Sequence, residues 1–321
     1  MKKFLTVLGL WMLAGTGCTK DQNEFIQSPG TDTVWVTQVG AGDVIVQLAD
    51  TLSVTPSGVS VTLSQSDSVT IAGMQLVLPS GWQTAAGASF SGPATLQASL
   101  LQTPGAWIRN FVSTTYGGKL VRTDAVLNIS VQEGAPAVLN ISAQAGGAAL
   151  QPTGTVLVSI PSQGSVLQED SLFGGGYSGN TLQWTGILNY NYFEQTPSEV
   201  SFATPQIGWL MYGTLLSDTV NTNAQLVVTL PNEFTNANSA VFCLLNGYAS
   251  VAALKGDVPS KTFIANDLPV GAAATIVTLT YTGGVIYLGT KNVTLTNGTL
   301  AVSISPNIQT LSSLLSFLEQ L

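Results

Sequence analysis

Histidine is absent from the 321 residues. Its absence excludes imidazole acid–base catalysis, Ser-His-Asp and Cys-His nucleophiles, and histidine-ligated zinc. Proton transfer would fall to carboxylates, as where two acidic side chains flank a scissile glycosidic bond. The close acidic pairs are Glu169-Asp170 and Glu194/Glu199. Nothing in their flanking residues marks a catalytic pair, so solvated loops are expected and no residue is given a catalytic role. Gly174-Gly175-Gly176-Tyr177-Ser178-Gly179 matches the GxGxxG spacing of a pyrophosphate cradle. That chemistry needs a strand before the glycines and a helix after them. Asn180-Thr181-Leu182-Gln183-Trp184 reads as a strand, so the glycines are expected in a turn or loop, with no dinucleotide and no other cofactor. Asp218-Thr219-Val220-Asn221-Thr222-Asn223 offers oxygen ligands without the acidic density of a calcium loop, so a polar turn and no metal site are expected. Cys243, within Val241-Phe242-Cys243-Leu244-Leu245, reads as a buried, inert thiol.

The densest aromatic stretch is Trp184-Thr185-Gly186-Ile187-Leu188-Asn189-Tyr190-Asn191-Tyr192-Phe193. As one extended strand it would place Trp184, Leu188, Tyr190 and Tyr192 on one face. Trp184, Tyr190 and Tyr192 could then stack on sugar rings while the asparagines bind hydroxyls. The competing reading fills a sandwich core with these rings, because aromatic residues favour strands and burial. The core reading carries the greater weight.

The elements that must hold these residues are strands. Ala125, Leu127, Ile129 and Val131 alternate with Asp124, Asn128 and Ser130, with Val126 the exception. Val156, Val158 and Ile160 repeat the period of two, as do Leu226, Val228 and Leu230. Asn297-Gly298, between Asn292–Thr296 and Thr299–Val302, predicts a type I′ hairpin. Tyr116-Gly117-Gly118 and Tyr281-Thr282-Gly283-Gly284 predict further turns. Leu311, Leu314, Leu315 and Leu318 recur at helical spacing behind Thr310, which predicts an amphipathic helix over 309–320 docked on the core. The expected fold is all-β: two β-sandwich (Ig-like) domains, 33–185 and 186–321, the second ending in the short helix.

Charged residues are 8% of the chain and the net charge is −8. The only arginines are Arg109 and Arg122, and no basic patch exists to neutralise phosphates, so no nucleic-acid partner is expected. No stretch after Cys18 is apolar enough to cross a bilayer as a helix. The first residues are different in kind. Lys2-Lys3, an apolar run from Phe4 to Ala14 and small residues to Gly17 have the layout of a secretory signal over 1–17. Ending at Cys18, this segment resembles the bacterial lipoprotein signal, with Gly15 where that family usually carries leucine. The resemblance implies cleavage before Cys18 and its modification with diacylglycerol and an acyl chain such as palmitate. The other reading is an ordinary signal peptide with a nearby cysteine. Residues 18–32 read as a polar tether. Lys20-Asp21 and Glu24 resemble the signal that sends Bacteroidota lipoproteins to the outer face of the outer membrane, with its periplasmic face as the alternative.

Phe90-Ser91-Gly92-Pro93-Ala94-Thr95-Leu96-Gln97-Ala98 is followed by Gly118-Lys119-Leu120-Val121-Arg122-Thr123-Asp124-Ala125. Leu139-Asn140-Ile141 and Val158-Ser159-Ile160-Pro161 come next. This order resembles the sandwich domain shared by zonula-occludens, netrin-receptor and ankyrin proteins. With Trp184, Trp209, Val228-Thr229-Leu230-Pro231, Leu268-Pro269-Val270-Gly271 and the C-terminal leucines, the chain is similar over about 75–321 to uncharacterised Bacteroidota lipoproteins with a related domain. The resemblance implies an envelope protein that presents sandwiches for interaction, and it brings no catalytic residues. Asp followed by Ser or Thr and an aliphatic residue resembles the Bacteroidota O-glycosylation signal. It makes Thr33, Thr51, Ser68, Ser171 and Thr219 candidate acceptors, although such dipeptides also introduce strands after turns. The expected function is a lipid-anchored, non-enzymatic envelope protein acting as a binding, adhesion or structural module. Its expected partners are the outer membrane, through the anchor, and a glycan or envelope protein. Surface glycan binding, a carboxylate-dependent carbohydrate-active enzyme and a subunit of a larger envelope assembly are the alternatives.

Overall fold

The computed structural model describes residues 34–134, 149–163, 171–178, 181–188, 192–216 and 220–321. The fold is all-β and sandwich-like, with three helices among the described residues: α1 (Val44–Leu52), α2 (Pro104–Arg109) and α3 (Leu311–Leu318). The spine is the 15-residue strand Lys119–Glu133. It sends Ala125, Leu127, Ile129 and Val131 to one face, and Val121 and Val126 to the other. The pairing Ala125↔Tyr212 is followed by Thr123↔Gly213, so Asp124 is an extra residue in the ladder. That bulge lets an odd-numbered and an even-numbered valine share a face. Val126, the exception to the alternation, thus marks a second buried surface.

Ten strands form a wide sheet around the spine. Gly208–Leu215, Ser171–Ser178 and Thr181–Leu188 follow one another on one side, while Pro93–Leu101 and Ala149–Pro152 also pair with the spine. A narrow sheet of five antiparallel strands lies over its first face, in the order Phe193–Gln195, Glu199–Thr204, Val156–Pro161, Met74–Leu78 and Asp67–Ile71. Leu76, Val158 and Phe202 of the narrow sheet meet Leu96, Leu127 and Ile129 of the wide one in a first core. Eight strands between Ala224 and Gln309 form a C-terminal sheet around a separate core that includes Leu226, Val241, Cys243, Phe263 and Ile276.

A middle core joins these units. Val126, Phe173, Trp184 and Met211 of the wide sheet face Phe242, Val251, Val277 and Leu279 of the C-terminal sheet, with Leu48, Trp107 and Leu314 of the helices between them. Backbone bonds stitch the seam: Thr114 N–H to the Val251 carbonyl at 2.8 Å, and Thr123 N–H to that of Ala249 at 2.9 Å. The predicted C-terminal helix forms over Leu311–Leu318, capped where Thr310 Oγ1 accepts from Ser313 N–H at 3.1 Å, and it buries Leu314 and Leu318. It lies so close to α2 that a Cβ on Gly105 would stand 1.6 Å from the Leu318 carbonyl oxygen. The layers therefore run from narrow sheet to wide sheet, then to the helices and the C-terminal sheet.

Two expectations are corrected. The boundary at 185/186 falls inside the paired sheets, because Phe193–Gln195, Glu199–Thr204 and Gly208–Leu215 complete sheets begun earlier in the chain. Strand pairing changes instead between Leu215 and Ala224. The Asn297-Gly298 turn does not close a hairpin. Gly298–Ser303 runs parallel to Ala224–Thr229, while Val285–Thr294 pairs with Ala273–Thr282 and Asn307–Gln309. The turns at Gly117-Gly118 and Gly283-Gly284 do join paired strands.

Candidate functional site

The narrow sheet buries one face; on the other, Ser68, Thr70, Gln75, Tyr192 and Glu194 are exposed, while Ser201 and Ala203 are buried. Alternation turns Phe193, Val200, Phe202, Val158 and Leu76 inward. The same period sets Glu194, Ser201, Ser159, Gln75 and Thr70 in one register row across the outward face of all five strands. The adjacent row is Ala203, Leu157, Val77 and Ser68, and the Tyr192 carbonyl extends it by accepting Ala203 N–H at 3.1 Å. A polar row thus runs beside a largely apolar one, which ends in a ring that is 43% exposed.

Hydrogen bonds organise the polar row. Tyr192 O–H donates to Glu194 Oε2. Ser201 O–H donates to Glu199 Oε1 at 2.9 Å. A serine hydroxyl has one proton, so in the 2.6 Å contact between Ser159 and Ser201 it is Ser159 that donates. Gln75 Nε2 donates to Ser68 Oγ at 3.3 Å. The bond to Glu194, then desolvation, then the charges of Glu194 and Glu199 hold the Tyr192 phenol above its ordinary value. Tyr192 therefore stays protonated, a ring with a donor at its rim. No lysine or arginine occurs in the five strands, so the face is acidic.

The other sequence candidates separate from this face. Trp184 is 8% exposed in the middle core, and its Nε1–H donates to the Ser113 carbonyl at 2.7 Å. It covers Gly175, where a Cβ would stand 2.7 Å from the indole. Gly174 pairs with Gly186 but Gly175 pairs with Trp184, so Thr185 is a bulge residue. The bulge puts Trp184 toward the middle core and Leu188 toward the first, which breaks the single face expected from Trp184 to Tyr192. Gly174–Gly176, expected as a turn or loop, is strand, with Gly174 and Gly175 paired on both sides and Gly176 on one, and a strand rather than a helix follows it. Cys243 is fully buried, and burial pushes its thiol up to about 12.

Among the O-glycosylation candidates, Thr51 is exposed on α1 with its hydroxyl bonded to the Gln47 carbonyl at 2.8 Å. Ser68 is exposed on the edge strand of the narrow sheet, and Ser171 is half-buried in the wide sheet. Asn221 Oδ1 accepts Asn223 N–H at 3.1 Å, a local turn bond. Cys18, Thr33, Glu169, Asp170, Tyr190, Asp218 and Thr219 lie outside the described residues. Among the described residues no three Cys, Asp or Glu side chains gather to hold a metal ion, and no helix is long and apolar enough to cross a membrane.

The structure thus brings together Tyr192 with Glu194 and Glu199, all visible in the sequence by type. It adds Ser159, Ser201 and Gln75, whose only signal was a polar residue alternating with buried apolar ones. No family model matches the chain, and no curated protein matches it either.

Proposed function

We propose that the protein is a lipid-anchored, non-catalytic binding module of the bacterial cell envelope, held on the outer membrane through Cys18. The observation that carries this reading is the order of the layers. The Trp35 ring lies tilted on Phe263 with centroids 5.1 Å apart. Val36 N–H donates to Asn236 Oδ1 at 2.9 Å, and the Val36 carbonyl accepts from Asn236 Nδ2 at 2.6 Å. The chain leading from Cys18 joins the body on the C-terminal sheet, two layers away from the open face of the narrow sheet. A tether at one end and an open polar face at the other suit a module that reaches out from a membrane. Acyl chains on Cys18 supply the hold, at ~0.8 kcal/mol per buried CH₂. Glu194 and Glu199 each accept a neighbouring hydroxyl, which fits them for recognition. The resemblance to Bacteroidota envelope lipoproteins agrees with this reading.

Palmitate labelling in the native host tests the anchor. Label is expected on the protein and is lost in Cys18→Ser; label that survives the substitution contradicts the reading. Saccharide hydrolysis abolished by Glu194→Gln or Glu199→Gln would overturn the non-catalytic assignment in favour of a carboxylate enzyme. Exposure makes Thr51 and Ser68 the accessible O-glycosylation candidates. An intact mass from the native host equal to that of the bare polypeptide removes that modification.

A further inference from the structure

We infer that the outward face of the narrow sheet is a platform for a neutral oligosaccharide, with Tyr192 as the stacking ring and Glu194, Ser159 and Gln75 as the groups that bind hydroxyls, while the buried Ser201 holds Ser159 and Glu199 in place from beneath. The inference rests on the binding-module reading and names the ligand class of its open face. Five strands in register span four inter-strand spacings of ~4.8 Å, about 19 Å in all. A straight row of that length suits a chain of linked rings better than one ring.

A pyranose has a C–H face and a rim of hydroxyls that both donate and accept. The half-buried Leu157 and Val77 meet the first need, and Tyr192 adds an exposed aromatic plane at the end of their row, beyond the buried Ala203. The row beside it meets the second with carboxylate, hydroxyl and amide groups, which supply acceptors and donors in alternation. Asp67, Glu194 and Glu199, with no lysine or arginine on these strands, repel sulfated, phosphorylated and uronate glycans. The face is complementary to a ligand that is rich in hydroxyls and carries no negative charge.

The test uses the full chain on an array of neutral and anionic oligosaccharides, followed by calorimetric titration with the strongest neutral binder and with polygalacturonate. The expected result is binding to a neutral oligosaccharide, none to polygalacturonate, and affinity about tenfold weaker in Tyr192→Ala. Gln75→Ala weakens it by a smaller factor, and both variants keep the parent melting temperature. An array with no neutral binder, a preference for polygalacturonate, or unchanged affinity in Tyr192→Ala overturns the inference. These outcomes leave the anchored module intact if the Cys18-dependent label is present. Hydrolysis of the bound saccharide that Glu194→Gln abolishes removes the module reading instead.

Discussion

The wide and the narrow sheet press one face each into the same core, and they differ in what their other faces carry. The wide sheet's second face holds Val121, Val126, Phe173, Trp184 and Met211, and it is sealed by three helices and the C-terminal sheet. The narrow sheet's second face holds Tyr192, Glu194, Ser159, Gln75 and Thr70 beside Leu157 and Val77, and all of these keep contact with solvent, while Ser201 and Ala203 are buried among them. An apolar second face requires a cover, because leaving it in water forfeits ~25 cal/mol per Å². A second face that sets a polar row beside a short apolar one requires no such cover and can meet a ligand. Trp184 and Tyr192, close in sequence, fall on the two sides of this division.

The sealed face gives the largest expected effects. Trp184→Ala removes an indole from the middle core and leaves the Ser113 carbonyl without its donor. It should cost ~3–5 kcal/mol in urea unfolding; a loss below ~1 kcal/mol would show the seam to be loosely packed. Gly105→Ala forces a methyl against the Leu318 carbonyl and should cost ~1–3 kcal/mol while releasing α3 to proteolysis. Gly176→Ala is its control, since a Cβ there meets nothing within 4 Å, and it should stay within ~0.5 kcal/mol.

Smaller effects belong to the open face. Ser201→Ala cuts the relay from Ser159 to Glu199 and should cost ~1 kcal/mol, read from the unfolding midpoint. The smallest effect is spectroscopic. Tyr192 should ionise above the usual ~10 in an absorbance titration, and Glu194→Gln should bring it down. The folded chain holds this proton more tightly than the unfolded chain. The associated stability is therefore present below pH ~10 and is lost as pH rises through the folded value. A Tyr192 that titrates alike in both proteins would remove Glu194 as its partner.

Much of the fold was legible because strand periodicity is local. Val156–Ile160 and Leu226–Thr229 form the expected strands, and Thr310 caps the expected helix. Pairing partners were not legible, because they are chosen by surfaces far apart in the chain. Asn297-Gly298 announces a turn without saying that the next strand runs parallel to Ala224–Thr229. Thr185 bulges without any mark in its residue type, so the face shared by Trp184 and Tyr192 in the sequence does not exist. The site was half visible. Tyr192, Glu194 and Glu199 stood out by chemistry, whereas Ser159 between Val158 and Ile160 looks like the outward position of any strand. Only the register with Ser201 and Gln75 makes it part of a row.

The most direct measurement pairs one variant from each face. Melting temperature and neutral-oligosaccharide affinity are measured side by side for Trp184→Phe and Tyr192→Ala. The division between the two faces predicts a lowered melting temperature with parent affinity for Trp184→Phe, and a parent melting temperature with weakened affinity for Tyr192→Ala. Weakened affinity in Trp184→Phe with parent affinity in Tyr192→Ala would contradict it, and would move recognition from the narrow sheet to the wide one.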